Sequence, residues 1–228
     1  MQKPAPRHQT AKGQITRERI LDAAEILFLE HGFVKASLRD IAAAAGIELG
    51  LLSYYFKSKE ALIKEAFERQ LLHAYGLQRD ALEQLVARRK SAATVEEILH
   101  AYSRDILEKV AQGDRGLLFV FRFSLLHRHP GLSPEAYAPA HDYHRPVRQA
   151  FLDALARAMP DYPKEKLLWS FDAFESIFIA LLTDRKGSAD LPLLHSPHAQ
   201  KYLVSYCAAG FRELKTAAIK SVRTRRTT

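Results

Sequence analysis

The sequence predicts an all-α chain built as a small helical head followed by a larger helical body. Three observations predict it. Apolar residues recur at helical spacing from Ile20 to Phe211, and no stretch sustains the alternation of a strand. Glycine and proline, 10 of each, gather at the breaks between periodic segments. Two very short helical segments lie side by side within residues 37–55, whereas the later segments are long. The 228 residues fit one compact domain or a small one joined to a larger one, and 47% hydrophobic residues suffice for a core.

The first helix is expected from Thr16, an N-cap with Glu18 in its first turn, to Gly32. Ile20, Ala24, Leu27 and Phe28 share its apolar face. The second opens at Ser37, where Ser37-Leu-Arg-Asp40 approximates a capping box, and Gly46 stops it after barely two turns. A third runs from about Glu48 to Tyr55, and a fourth from Ser58 to about Arg88. Thr94-Val-Glu-Glu97 caps a fifth that ends near Gly113. Asp114 to His129 forms a sixth, stopped by Pro130-Gly131. Ser133-Pro134 opens the next, which Pro139 and Pro146 should kink or split before Met159. Lys164 to Arg185 is strongly apolar, and Ser196-Pro197 opens a last helix. The expected division is a basic arm over 1–15, a head over 16–62, a body over 63–218 and a basic tail over 219–228.

Composition narrows the function classes. No run approaches the ~18–20 apolar residues that span a bilayer. Residues 1–15 carry Lys3, Arg7 and Lys12 without an apolar block, so no secretory signal is expected. Cys207 stands alone, which excludes an internal disulfide and a cysteine-based zinc site. A cytoplasmic protein without membrane contact is expected. The net charge is +8, concentrated in the two ends, which suits a polyanion or simply solvates the termini.

Two short helices joined at Gly46 make a helix-turn-helix candidate, because glycine adopts positive φ cheaply. Leu52 and Tyr55 return to the first helix of the pair, and Leu49, Gly50, Leu51, Ser53 and Tyr54 are left to face outward. A second helix held this way can lie in the major groove of DNA. Ordinary helix packing is the alternative for such a turn taken by itself.

The wider pattern resembles the N-terminal domain of TetR-family transcriptional regulators. The resemblance rests on Thr16-Arg-Glu-Arg-Ile-Leu-Asp-Ala-Ala24, Phe28, Gly32-Phe33, Ser37-Leu-Arg-Asp-Ile-Ala42, Ala45-Gly46-Ile47 and Gly50. It is most distinctive in Tyr55-Phe-Lys-Ser-Lys-Glu-Ala-Leu62. It implies an all-helical homodimer whose heads bind a double-stranded DNA operator and whose bodies hold an effector. Departures from the family are Glu48, where Ser or Thr is common, and Ser53, where Tyr is common. With no Arg, Lys, Asn or Gln on the recognition helix, phosphate contacts are expected to dominate. The expected phosphate set is Lys12, Arg17, Ser37, Tyr54, Lys57 and Lys59, with Arg39 as a further expected DNA-binding residue. Glu48 can accept from a cytosine amino group, and Leu49 or Leu51 can meet thymine methyls.

Aromatic residues are dense between 94 and 182, which suits either core packing or an apolar pocket. The expected effector lining is Tyr102, Phe119, Phe123, Tyr143 and Phe151 with Trp169, Phe174 and Phe178. Arg122, between two phenylalanines, would clamp an anionic group or snorkel outward. A hydrophobic effector, such as an acyl chain or a flat aromatic, fits this composition, and residues 117–139 also look like TetR regulators of lipid metabolism. Repression relieved by that effector is the expected outcome. A metal-dependent hydrolase built on His127, His129, His141 and His144 is one rival class, and a helical lipid-binding module is the other. No phosphate-cradling glycine loop or nucleophile elbow is present, so neither an enzyme nor a cofactor is expected. The apolar stripes of the last two long helices predict a four-helix dimer interface.

Overall fold

The computed structural model describes residues 11–89, 91–124, 138–183 and 198–216, and every regular element among them is a helix. α1 (Ala11–Lys35) begins ahead of Thr16. Thr16 is no cap; its hydroxyl donates to the Lys12 carbonyl, and Gln14 pairs with Glu18 one turn on. Ala, Lys and Gln at 11–14 are good helix formers, so part of the expected arm is helical. Gly32, at φ 76°, breaks α1 where a glycine stop was expected.

The head closes with α2 (Leu38–Ala44) and α3 (Leu49–Tyr55). Ser37 and Asp40 complete a reciprocal capping box: Ser37 Oγ accepts from Asp40 N at 3.1 Å, and Asp40 Oδ2 accepts from Ser37 N at 3.3 Å. Ile20, Ala24, Ile41, Ala42 and Leu52 meet in the head core.

α4 (Lys59–Ala87), capped by Ser58, is the spine. It packs on α1, on α5 (Val95–Ala111), on α6 (Arg115–Ser124) and on α7 (Ala138–Ala158). Its buried Leu62, Ile63, Ala66, Phe67, Leu71 and Ala74 supply the continuous apolar row this requires. α5 carries the expected Thr94–Glu97 capping box. α7 runs unbroken through Pro146, contrary to the expected kink or split. Pro139 falls in the first turn, where no intrahelical N–H is needed, and Pro146 lies on the exposed side. Packing of α7 on α4, α5 and α8 offsets the one bond that Pro146 forfeits. α8 (Lys164–Thr183) and α9 (Ala199–Thr216) complete the body.

Inside the body, Tyr102 is ringed edge-on by Phe151, Phe171, Phe174 and Phe178 at centroid distances of 4.9, 5.5, 5.4 and 5.6 Å. Such contacts add to the area that aromatics bury.

Candidate nucleic-acid interface

The turn between α2 and α3 is fixed from three sides. Gly46 takes φ 63°. Its N–H donates to the Ala43 carbonyl, and Ile47 N–H donates to that of Ala42, each at 3.0 Å. From α1, Arg19 Nη2 donates to the Ala45 carbonyl at 2.5 Å. Leu52 is fully buried beneath, so the opposite face of α3 is pushed outward. Leu49 is 40% exposed, Leu51 42% and Tyr54 74%, while Glu48, Gly50 and Ser53 are also exposed. Ser53 Oγ donates back to the Leu49 carbonyl at 3.0 Å. Leu49, Gly50, Leu51, Ser53 and Tyr54, expected from the sequence to face outward, are therefore all exposed.

The expected phosphate set divides. Lys12, Ser37 and Lys57 are exposed on the head, as is Arg39. Arg17 is instead ion-paired with Glu65 on α4 and lies 4.8 Å over the Phe56 ring. Lys59 Nζ donates to the Val34 carbonyl at 3.3 Å and sits 4.4 Å over Phe33. Burial holds its pKa below the usual lysine value. Both cations are engaged at the joints between α1 and α4 in this structure, so neither is presented there as a free phosphate ligand. Their partners are distant in sequence, so no local pattern announces them.

A second charged joint went unread in the sequence. Arg69 on α4 binds Glu18 at 2.7 Å, Asp22 at 2.8 Å and Glu25 at 2.6 Å on α1. Those three carboxylates fall at i, i+4 and i+7, one face of a helix. Burial pushes Glu25 up to about 7 against the pull of Arg69 and a bond from Gln70 Nε2 at 2.9 Å. α6 adds Arg115 on Glu30 at 2.6 Å and Phe119 stacked on Phe28 at 6.4 Å. Head and body thus meet through α1, α4 and α6.

In the body, the expected lining residues Tyr102, Phe119, Phe151, Phe174 and Phe178 are buried and packed on other side chains. Tyr143 donates to Glu68 Oε1 at 2.9 Å, and Arg122 is half-buried on α6. The side chain of Phe123 lies outside the described residues. Trp169 is a correction: it is 63% exposed on α8 and lines no interior, because the inward face of α8 is taken by Phe171, Phe174 and Phe178. It shares exposure with Tyr202 at 58% and Tyr206 at 73% on α9. Two clefts, of about 510 and 590 Å³, are lined by other residues, the first between α4, α5 and α9 and the second along α1, α4 and α6.

Of the histidines, His127, His129 and the side chain of His141 lie outside the described residues. His144 faces Glu175, its Nε2 3.0 Å from Oε1. Glu175 is the centre of a buried polar knot that sequence reasoning missed. It accepts from the Tyr102 hydroxyl at 2.6 Å and from Arg148 Nε at 3.1 Å. Burial pushes its carboxyl up, but the bonds from His144 and Tyr102 and the nearby Arg148 charge outweigh this and hold it below its ordinary value. Cys207 is buried, and burial pushes its thiol up to about 11.

Residues 20–66 match the family model described as bacterial regulatory proteins, tetR family. Residues 100–210 match the model described as tetracyclin repressor-like, C-terminal domain. The chain is 38% identical over 77 residues to the HTH-type transcriptional repressor KstR2 of Rhodococcus jostii strain RHA1, covering 34% of this chain and 38% of that one. It is 47% identical over 53 residues to the HTH-type transcriptional regulator UidR of Escherichia coli strain K12, covering 23% and 27%. The match thus spans well under half the length of these curated relatives. Among solved structures, the fatty acid degradation regulator FadR from Bacillus halodurans superposes with a TM-score of 0.61 at 18% identity, over 92% of this chain and 96% of that one. A TetR-family transcriptional regulator from Bordetella parapertussis 12822 gives 0.61 at 18%, over 90% and 98%. These likenesses concern the fold. The two family models together take in the head and most of the body, and the chain belongs to the TetR family of bacterial regulatory proteins.

Proposed function

We propose that the chain is a sequence-specific, DNA-binding transcription regulator of the cytoplasm that works as a homodimer. The observation that carries this reading is α3, held outward by the Gly46 turn with its first turn exposed. In a helix-turn-helix that turn meets the base edges. Exposed Lys12, Arg39 and Lys57 supply cations for the phosphate walls, with Tyr54 as a neutral donor, while the Ser37 hydroxyl donates to Asp40 Oδ2 at 2.6 Å and must leave that bond to meet a phosphate. No helix among the described residues is long and apolar enough to cross a membrane.

The dimer forms through α8 and α9, whose exposed Trp169, Tyr202 and Tyr206 are the aromatic anchors such an interface uses. Two heads then stand ~34–36 Å apart, one helical turn of DNA, and enter successive major grooves. The aromatic body binds a hydrophobic small molecule, of acyl or flat aromatic type, that favours another spacing of the heads. The protein then acts as a repressor released from its operator by population shift. The buried packing of Tyr102, Phe151, Phe174 and Phe178 means that the effector must displace rings to enter.

The test is recovery of random genomic fragments by the purified full chain at physiological salt, followed by sequencing. An enriched pseudo-palindrome is the expected result, and hydrophobic compounds are then screened for release of that duplex. Sequence-blind recovery that fades with salt would overturn the regulator reading and leave the body as a helical lipid-binding module. Chelator-sensitive hydrolysis would favour the histidine-based alternative.

A further inference from the structure

The base-facing turn of α3 has an unusual chemistry for its position. Leu49 and Leu51 stand exposed on either side of Gly50, and a Cβ built on Gly50 would meet nothing within 4 Å. One turn later the Ser53 hydroxyl is spent on the Leu49 carbonyl. Glu48 makes no side-chain cap bond and offers only acceptor oxygens. From Glu48 to Ser53 there is no side chain able to bridge O6 and N7 of guanine or N6 and N7 of adenine. Arg17 and Lys59 are engaged with Glu65 and with the Val34 carbonyl in this structure. Apart from Glu48, which can accept from cytosine N4, the side chains of this turn left to recognise a base are the two leucines.

In the major groove their target is one group, the C5-methyl of thymine. Polar base edges alone would leave the leucines desolvated against donors and acceptors that they cannot pair. Gly50 adds the geometry: with no side chain between the leucines, the helix backbone can settle closer to the groove floor. Arg39 in the first turn of α2 and Lys57 just beyond α3 are exposed cations of the same head.

We propose that α3 reads thymine methyl groups, with Leu49 and Leu51 docking on T·A pairs in each operator half-site across Gly50. The inference rests on the DNA-binding reading of the head. It is tested with the full chain and the enriched operator duplex. Each half-site thymine is replaced in turn by deoxyuridine, which removes only the methyl. Affinity should fall about three- to fivefold per contacted methyl, the loss expected for one buried carbon. A C·G pair in place of a contacted T·A pair should bind more weakly still, and 5-methylcytosine should recover part of that loss. Leu49→Ala and Leu51→Ala should each bring the thymine-to-deoxyuridine ratio toward one without lowering the melting temperature, since both side chains are exposed. Equal affinity for thymine and deoxyuridine operators would overturn the inference and leave the regulator reading standing. So would a discrimination that survives in the doubly substituted variant, which would trace it to DNA shape. Selection of no operator at all would instead sink the regulator reading.

Discussion

Glu25→Gln removes a titrating carboxyl from the joint between head and body while keeping its size. Glu25 is 5% exposed and receives Arg69 Nη2 at 2.6 Å and Gln70 Nε2 at 2.9 Å. Burial nevertheless raises its pKa from 4.5 to about 7, the Arg69 charge offsetting only part of the desolvation. A raised pKa in the folded state means that the fold holds a proton the unfolded chain has released, between 4.5 and about 7. The stabilisation from this group is therefore complete below 4.5 and lost as pH rises through about 7. At ~1.4 kcal/mol per pKa unit, that window corresponds to roughly 3 kcal/mol. Urea unfolding of wild type and variant from about pH 5 to about pH 8 measures it, because the difference between the two curves cancels the histidines and the other carboxylates. Wild-type stability minus variant stability should fall by roughly 2–3 kcal/mol over that range. Parallel curves would mean that Glu25 does not titrate there. Parallel curves are also what Arg69 would produce by holding Glu25 ionised throughout, since its titration would then lie below about 4.5, and the reasoning from burial would be refuted.

Gly46→Ala puts a β-carbon at φ 63°, 2.9 Å from Arg19 Nη2. It should cost ~1–2 kcal/mol and lower both the melting temperature and operator affinity; an unchanged melt would refute the turn assignment. Lys57→Ala should flatten the logarithmic salt dependence of DNA binding by ~0.9 without affecting the melt. Lys59→Ala should do the reverse, lowering the melt and leaving the slope, because its ammonium caps the Val34 carbonyl; equal slope changes would restore Lys59 to the phosphate set. Combined Trp169→Ala and Tyr206→Ala should weaken self-association by at least ~2 kcal/mol, about thirtyfold, in sedimentation equilibrium. An unchanged dimer would place the interface elsewhere.

What the sequence discloses follows the range of each interaction. The short helix pair, the glycine turn and the capping boxes at Ser37 and Thr94 are local devices, and the structure carries all of them. The joints that engage Arg17, Lys59 and Arg69 span 48, 25 and 44 residues, beyond any periodicity. One signal was available: Glu18, Asp22 and Glu25 form an acidic stripe on a helix, and a buried acid there calls for a cation. α8 explains the error over Trp169. Its apolar residues wrap most of the helix, so spacing alone could not tell the interior face from the one left open. The polar knot at Glu175 joins Tyr102 of α5 to His144 and Arg148 of α7, and only the i, i+4 spacing of the last two is visible in the sequence.

The joint also sets the scale on which the proposed release would work. Allosteric coupling of ~1–3 kcal/mol changes affinity about 5- to 150-fold. The proton linkage at Glu25 is of the same order, and Glu25 lies where α1 meets the spine of the body. α6 reaches the same helix through Arg115 and Phe119, the latter from within the aromatic interior. A ligand that displaces rings in that interior acts on α6, and α6 bears on α1 within two turns of Glu25. An effector therefore need not unfold the head or touch α3. On the proposed release, the route from the interior to the head runs through α6 to the α1–α4 joint, and that joint is the one that Glu25→Gln probes.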